Sequence, residues 1–321
     1  MKYYLSVLAG AMSYGILSTI VVLAYGQGYQ LGEVVGTQLI TGFILSWMLA
    51  LYTRFRAKRK ALAGGQVKVT SASPSNVFIR LTWKQRLMLM AAGTPTVITG
   101  LVYYQSLRYI PASLAIILLF QFTWISVLIQ AISKRQRPDK ITFLTLFILF
   151  GGTLLAAGFL EQGISNVSGI GIALGLMAAV SYSLFVLFSG KAVPSAHPAF
   201  RSAWMVTGGL ILLCILFPPT FLFNGLIWSQ LLVFGLLLGF FGAFIPPVLF
   251  AIGVPHIGGD MAGILGAVEL PVAVLLSSIV LHEHVSALQW FGVVIVLIGV
   301  ALPELYKMRA RRSRSTPVYS G

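Results

Sequence analysis

The sequence predicts an all-α membrane protein of ten transmembrane helices, built as two inverted repeats of five. Three observations carry that prediction. Apolar runs of roughly twenty residues, the length of a bilayer span, recur along the chain; basic residues fall on alternate connections between them; and the two halves match at fixed offsets. The 321 residues are 58% hydrophobic and 9% charged, with a mean hydropathy of +0.92, far too apolar for a soluble domain.

The spans are read near residues 4–26, 31–52, 87–108, 110–131, 141–160, 169–189, 201–222, 229–250, 259–281 and 286–303. In the first, Lys2 precedes the apolar run and no small-residue cleavage site follows, which predicts a retained helix with its start inside the cell. The runs are continuously apolar instead of alternating, so helices are expected and a barrel is not. Pro95, Pro246 and Pro247 fall inside spans, where membrane helices tolerate proline.

The net charge of +15 raises nucleic acid as a partner, and its distribution argues against it. With the N-terminus inside, Arg54 to Arg86, Lys134 to Lys140, Lys191, Arg201 and Lys307 to Arg314 all fall on the inner side, and only Arg108 lies outside. That is the positive-inside partition. The runs RFRAKRK (54–60) and RARRSRS (309–315) are expected to fix topology and touch anionic lipid; Phe55 apart, they lack the stacking aromatics of nucleic-acid sites. The polar stretch 64–76 between the second and third spans reads as a mobile loop.

The repeat is visible as offsets. A shift of 148 residues lays Gln121 on Glu269, Thr123 on Pro271, Arg135 on Glu283 and Gly151 on Gly299. A shift of 168 lays Ser13-Tyr14 on Ser181-Tyr182, and one of 166 lays Thr41-Gly42 on Thr207-Gly208. Because five is odd, the second copy enters from the opposite side, the inverted architecture of many secondary transporters. Residues 1–160 form the first repeat, with a basic cytoplasmic loop at 53–86; 161–306 form the second; 307–321 are a basic cytoplasmic tail.

The stretch 265–300, LGAVELPVAVLLSSIVLHEHVSALQWFGVVIVLIGV, with Pro271, Glu283, Gln289, Gly292 and Gly299, resembles the C-terminal repeat of EamA-type members of the drug/metabolite transporter superfamily. SLRYIPASLAIILL (106–119) resembles its N-terminal counterpart. The resemblance implies ten helices around a central cavity that opens alternately to either side, and leaves the substrate unnamed. Thr123 and Arg135 depart from the family's usual proline and acidic residue.

Glu269 is the leading candidate for transport chemistry. It has no charged neighbour for eight positions before it or thirteen after it, so it falls near mid-membrane. A charge there costs roughly 2.5–3.5 kcal/mol on insertion scales, so the residue is expected to face the bundle interior. A buried carboxyl group that binds and releases one proton is a coupling device. A permanently neutral Glu hydrogen-bonded to a neighbouring helix is the alternative. Pro271 cannot donate a backbone hydrogen bond, which frees the Ala267 carbonyl and loosens the helix beside it.

Tyr14, Gln38, Gln121, Trp124, Tyr182 and Trp204 fall at comparable depth on several helices and complete the candidate substrate site, with lipid-belt or packing roles as the alternative for each aromatic. Glu33, in the first turn of the second helix, is a candidate outer gate or a dipole partner. Asp260 reads as a helix cap, and Pro246 and Pro247 as helix breaks or static bends. His282 and His284 stand two apart in a short turn, which does not suit a zinc site, and His256 reads as a solvated interfacial residue. The single cysteine, Cys214, reads as a buried hydrophobe.

No nucleotide-binding motif and no nucleophile–base constellation is found, so the chain is expected to be neither an enzyme nor an ATP-driven pump, with no cofactor and no metal. The expected function is secondary transport of small molecules in the cell membrane, more an exporter than an importer, with the proton as coupling ion and a monomer or homodimer as the working unit. A lipid flippase or scramblase on the same fold, or an uncoupled exchanger, is the alternative.

Overall fold

The computed structural model describes residues 2–63, 81–122, 124–125, 128–129, 132, 140–156, 168–189, 192–193, 196–257, 265–266 and 268–314. Among them the regular structure is helical throughout. The first span comprises α1 (Lys2–Gly15) and α2 (Leu17–Gly26), parted at Ile16. It ends in a turn in which Gly28 takes φ +87°, a conformation that favours glycine. Then follow α3 (Leu31–Ala63), α4 (Trp83–Ser106), α5 (Ala112–Leu119), α6 (Lys140–Ala156), α7 (Gly169–Ser189) and α8 (Pro198–Leu216). The remainder are α9 (Gln230–Leu238), α10 (Ile245–Ile257), α11 (Glu269–Val280) and α12 (Ala287–Arg314). Between α9 and α10 the chain widens into a π turn, Gly239–Phe244.

Helix ends follow local chemistry. Thr82 and Gln85 form a reciprocal capping box at the start of α4, and Ser229 accepts the Leu231 N–H at the start of α9. Helix α8 stops at Leu216, short of the expected 222, because Pro218 and Pro219 cannot continue it; two short 3₁₀ turns fill the connection. Helix α3 runs on to Ala63 and α4 begins at Trp83, so the basic run 54–60 is helical instead of lying in a loop. Likewise α12 continues to Arg314, into the expected tail. Lys, Arg and Ala are good helix formers, and a helix leaving the bilayer has no reason to stop at its surface.

Four of these helices are long and apolar enough to cross a membrane: Lys2–Gly26, Leu31–Arg59, Trp83–Ser106 and Pro198–Leu216. Shorter apolar helices lie at Phe147–Ala156, Gly169–Phe185, Gln230–Phe244, Glu269–Val280 and Ala287–Gly299. The surface is inverted relative to a soluble protein. Phe147, Phe150, Ile215, Ile279 and Ile298 are exposed, whereas Ser13, Ser18, Thr37, Thr99, Ser183 and Ser277 are buried. This is a multi-pass membrane protein.

The packing brings distant elements together. Helix α4 lies against α7 and α8, α1 against α10, α3 against α8 and α9, and α6 against α12. Helix α11 lies between α5 and α1. At the α4–α8 crossing the backbones touch, since a side chain at Gly93 would strike the Met205 carbonyl and one at Gly208 the Met90 carbonyl. Small residues at a crossing of this kind let membrane helices approach closely.

Candidate functional site

Helix α11 opens on Glu269, directly after a turn at Val268. Pro271 therefore occupies its first turn, where proline is tolerated, and the break lies just before it. Ala267, whose carbonyl Pro271 was expected to free, lies outside the described residues, as do Thr123, Arg135 and Asp260. The Glu269 side chain lies deep in the bundle yet keeps some accessible surface. No hydrogen bond or ion pair holds it among the described residues.

The wall opposite Glu269 comes from α1. A side chain at Gly15 would meet the Glu269 carbonyl oxygen at 2.8 Å and Val272 at 2.9 Å, so this glycine lets the two backbones touch. That contact sets Tyr14, the preceding residue, beside the carboxyl group. Electrostatic interaction with Glu269 reaches the phenols of Tyr14, Tyr103, Tyr104 and Tyr182. The Gln38 amide adjoins the Tyr104 hydroxyl. Tyr182 is half-buried, its ring edge-on to Phe122 at 4.6 Å and stacked with Phe185 at 6.0 Å. The hydroxyls of Ser18 and Tyr103 lie close together, yet neither reaches hydrogen-bond geometry.

Gln121 is engaged differently from Glu269. Its Nε2 donates to the Ile117 carbonyl at 2.9 Å and to Thr153 Oγ1 at 2.7 Å, while its Oε1 accepts the Trp124 indole N–H at 2.8 Å. Buried and with both ends occupied, this amide ties the chain after α5 to α6 and Trp124. Trp204 belongs to another cluster: edge-on to Trp47 at 5.3 Å and under the Arg86 guanidinium at 5.3 Å, with the Trp47 indole donating to Thr207 at 3.0 Å. Glu33 accepts the Gln30 N–H at 2.8 Å, a cap at the start of α3. His256 stacks on Tyr3 at 3.7 Å. Cys214 is exposed instead of buried, on an apolar helix whose neighbouring side chains also face outward; a thiol is apolar enough for that position.

At the bundle end opposite the N-terminus, Arg108 covers the Tyr25 ring at 4.6 Å and donates to Gln30 at 3.1 Å. They line a cleft of about 320 Å³ with Val22, Gly28, Tyr29 and Leu107. Nearby, Glu283 grips the start of α5: Oε1 accepts the Ala112 N–H at 2.7 Å, and Oε2 accepts the Ser113 N–H at 3.1 Å and its hydroxyl at 2.7 Å. Residue reasoning alone gave Glu283 no partner, because the two segments are 170 positions apart. Tyr103 and Tyr104 were also missed; an adjacent aromatic pair late in an apolar span was their signal.

Residues 169–303 match the EamA-like transporter family. The match lies in the second half of the chain, where the sequence resemblance was read at 265–300. A protein of Synechocystis sp. (strain ATCC 27184 / PCC 6803 / Kazusa), named "Uncharacterized transporter sll1319", is 25% identical over 208 residues. That alignment takes in 64% of this chain and 62% of the relative. A chain of known crystal structure superimposes with a TM-score of 0.61 at 15% identity, covering 95% of this chain and 98% of its own length. At that identity the likeness is one of fold.

Proposed function

We propose that this EamA-type protein is a secondary transporter of small organic molecules, and that Glu269 exchanges a proton as two inverted five-helix halves rock about it. The observation that carries the reading is the carboxyl group itself. An ionisable side chain deep in an apolar bundle, partly accessible and without a hydrogen bond or ion pair among the described residues, suits a ligand that comes and goes. A structural carboxyl group would be hydrogen-bonded, as Glu283 is.

Matched contacts in the two halves support the inverted architecture. Ser13 donates to the Phe241 carbonyl at 2.6 Å, and Ser181, 168 residues later, donates to the Pro95 carbonyl at 2.8 Å. Gly15 touches the Glu269 backbone, and Ser183, again 168 later, donates to the Phe122 carbonyl at 3.1 Å. Such paired interfaces let one half rock against the other about a fixed site. The basic partition supports cytoplasmic termini in a cell membrane, and the aromatic walls suit export of amphipathic organic compounds.

The test is reconstitution in proteoliposomes with an imposed pH gradient and a panel of radiolabelled metabolites. Wild type concentrates substrate. Glu269→Gln keeps size and hydrogen bonding without titration, so it inserts and folds, loses uphill transport and keeps downhill exchange. Glu269→Asp stays coupled with an altered pH dependence. Equal accumulation by wild type and Glu269→Gln overturns the coupling role. Lipid translocation with no gradient-driven flux of soluble compounds assigns the fold to a flippase instead.

A further inference from the structure

We propose that the main-chain carbonyl of Gly242 is a substrate-binding acceptor, and that with Glu269 it selects compounds carrying a protonated amine with N–H to donate. The inference rests on the transporter reading and deepens it. It begins from a covalent fact. In an α-helix the carbonyl of Gly242 would take the N–H of residue 246, and in a π-helix that of residue 247; both are proline and have none. The next N–H in reach, that of Ile245, goes to the Phe240 carbonyl. No side chain among the described residues donates to it either. Gly242 is buried, so this acceptor is left without a partner inside an apolar bundle.

Two proline defects are repaired by a hydroxyl. The Phe241 carbonyl, which loses the N–H of residue 246 in π geometry, accepts the Ser13 hydroxyl at 2.6 Å. At Pro95 in α4, the carbonyl deprived of its partner is that of Ala91, and Thr94 Oγ1 donates to it at 2.8 Å. Those two carbonyls carry a built-in hydroxyl and that of Gly242 does not. A carbonyl freed at a helix break is a ready acceptor in a transporter site.

Its position joins it to the Glu269 wall. A side chain at residue 242 would meet Leu17 at 2.9 Å and Gln38 Nε2 at 3.0 Å, so α1–α2 and α3 close over the break. Gln38 adjoins Tyr104, and Tyr104 and Tyr14 share their electrostatic environment with Glu269. Gln38 is half-exposed and is the polar side chain that covers the break.

The chemistry of the occupant follows. The two open groups, a carboxyl and a carbonyl, both accept, so the occupant donates. No basic residue pairs with Glu269 among the described residues, so positive charge is favoured, and tyrosine rings add attraction for a cation. The unpartnered hydroxyls of Ser18 and Tyr103 are shut off from the cavity surface and offer an anion no purchase.

The probe pair is phenethylammonium and its N-trimethyl analogue, which keeps the ring and charge and has no N–H. Equilibrium binding is measured on the full-length protein in nanodiscs. Wild type binds the primary amine about tenfold more tightly, the effect of a hydrogen bond to a charged group. Pro247→Ala supplies the N–H that the Gly242 carbonyl would take in the π geometry of this segment. It should raise the melting temperature and abolish that preference, while trimethyl binding changes by less than about twofold. Pro246→Ala supplies the N–H one position earlier, which reaches Gly242 if the segment relaxes to α geometry, and serves if the first variant misfolds. Glu269→Gln weakens both probes.

A wild type without preference overturns the proposal, as does a folded Pro247→Ala protein that keeps the preference. Gradient-driven flux of neutral or anionic compounds without amine binding overturns it and leaves the transporter reading standing. Amine discrimination without any gradient-driven flux does the reverse.

Discussion

Replacing Glu283 with alanine removes three hydrogen bonds joining segments from the two halves of the chain. Its carboxylate takes the first two N–H groups of α5 and the Ser113 hydroxyl, at 2.7, 3.1 and 2.7 Å. A hydrogen bond to a charged group contributes about 1.5–3 kcal/mol, and an anion at a helix N-terminus up to about 2 kcal/mol in partly buried geometry. These overlap, and Glu283 is half-exposed, so water replaces part of what is lost. The expected cost is about 2–3 kcal/mol, a fall in melting temperature of roughly 5 °C for a chain of this size. Ser113→Ala removes one bond and should cost about 1 kcal/mol. The double variant should fall short of the sum by a similar amount, because both substitutions break the same contact. Thermal unfolding in detergent reads the cost, and hydrogen exchange at Ala112 and Ser113 reads its location. A Glu283→Ala protein that melts with wild type and exchanges those amides no faster refutes the reasoning.

Three further outcomes are expected. His197 Nδ1 accepts the Ala199 N–H at 3.3 Å, and burial holds the imidazole below its ordinary value of 6.5. Its contribution to stability is therefore complete above about pH 6.5 and is lost as pH falls through the folded value, so a melting curve against pH should decline there in wild type and not in His197→Asn. Tyr14→Phe and Tyr182→Phe keep the ring and should weaken substrate binding by about 0.5–1.5 kcal/mol without loss of folding; unchanged affinity in both returns them to packing roles. With exposed Cys214 first replaced by Ser, an impermeant thiol reagent on intact cells should label a cysteine at position 286 and spare one at 73; the opposite pattern inverts the topology.

Span positions were legible because hydrophobic length and basic flanks are local properties. Trp83–Ser106 and Gly169–Ser189 follow the apolar runs read for the third and sixth helices. The ends were harder to read where composition and geometry diverge. The apolar sequence past Leu216 suggested continuation, and two prolines stopped it; the basic sequence past Leu51 suggested a loop, and helix propensity carried it on. At the site, offsets singled out Tyr14, Tyr182, Gln121 and Glu269. What they could not convey is how each side chain is occupied. Gln121 and Glu269 stand at equivalent positions, yet only contact with Thr153 and Trp124 reveals that the amide is committed.

That difference has a consequence for how a duplicated fold acquires one site. Paired contacts, such as those of Ser13 with Ser181 and of Gly15 with Ser183, give the helices matched interfaces. If chemistry were matched too, two acids would face one space, and each would oppose ionisation of the other. Here the first-half position holds an amide tied to its own helix and its neighbours, and the freed carbonyl at Pro95 is covered by Thr94. On the proposed reading, the second-half positions leave Glu269 and Gly242 to the occupant, backbone duplication supplies the moving parts, and side-chain divergence leaves a single acid to take a single proton. Restoring symmetry with Gln121→Glu should therefore break the ties to Thr153 and Trp124 and destabilise the fold without adding a second coupled proton, which stoichiometry measurements in proteoliposomes would read directly.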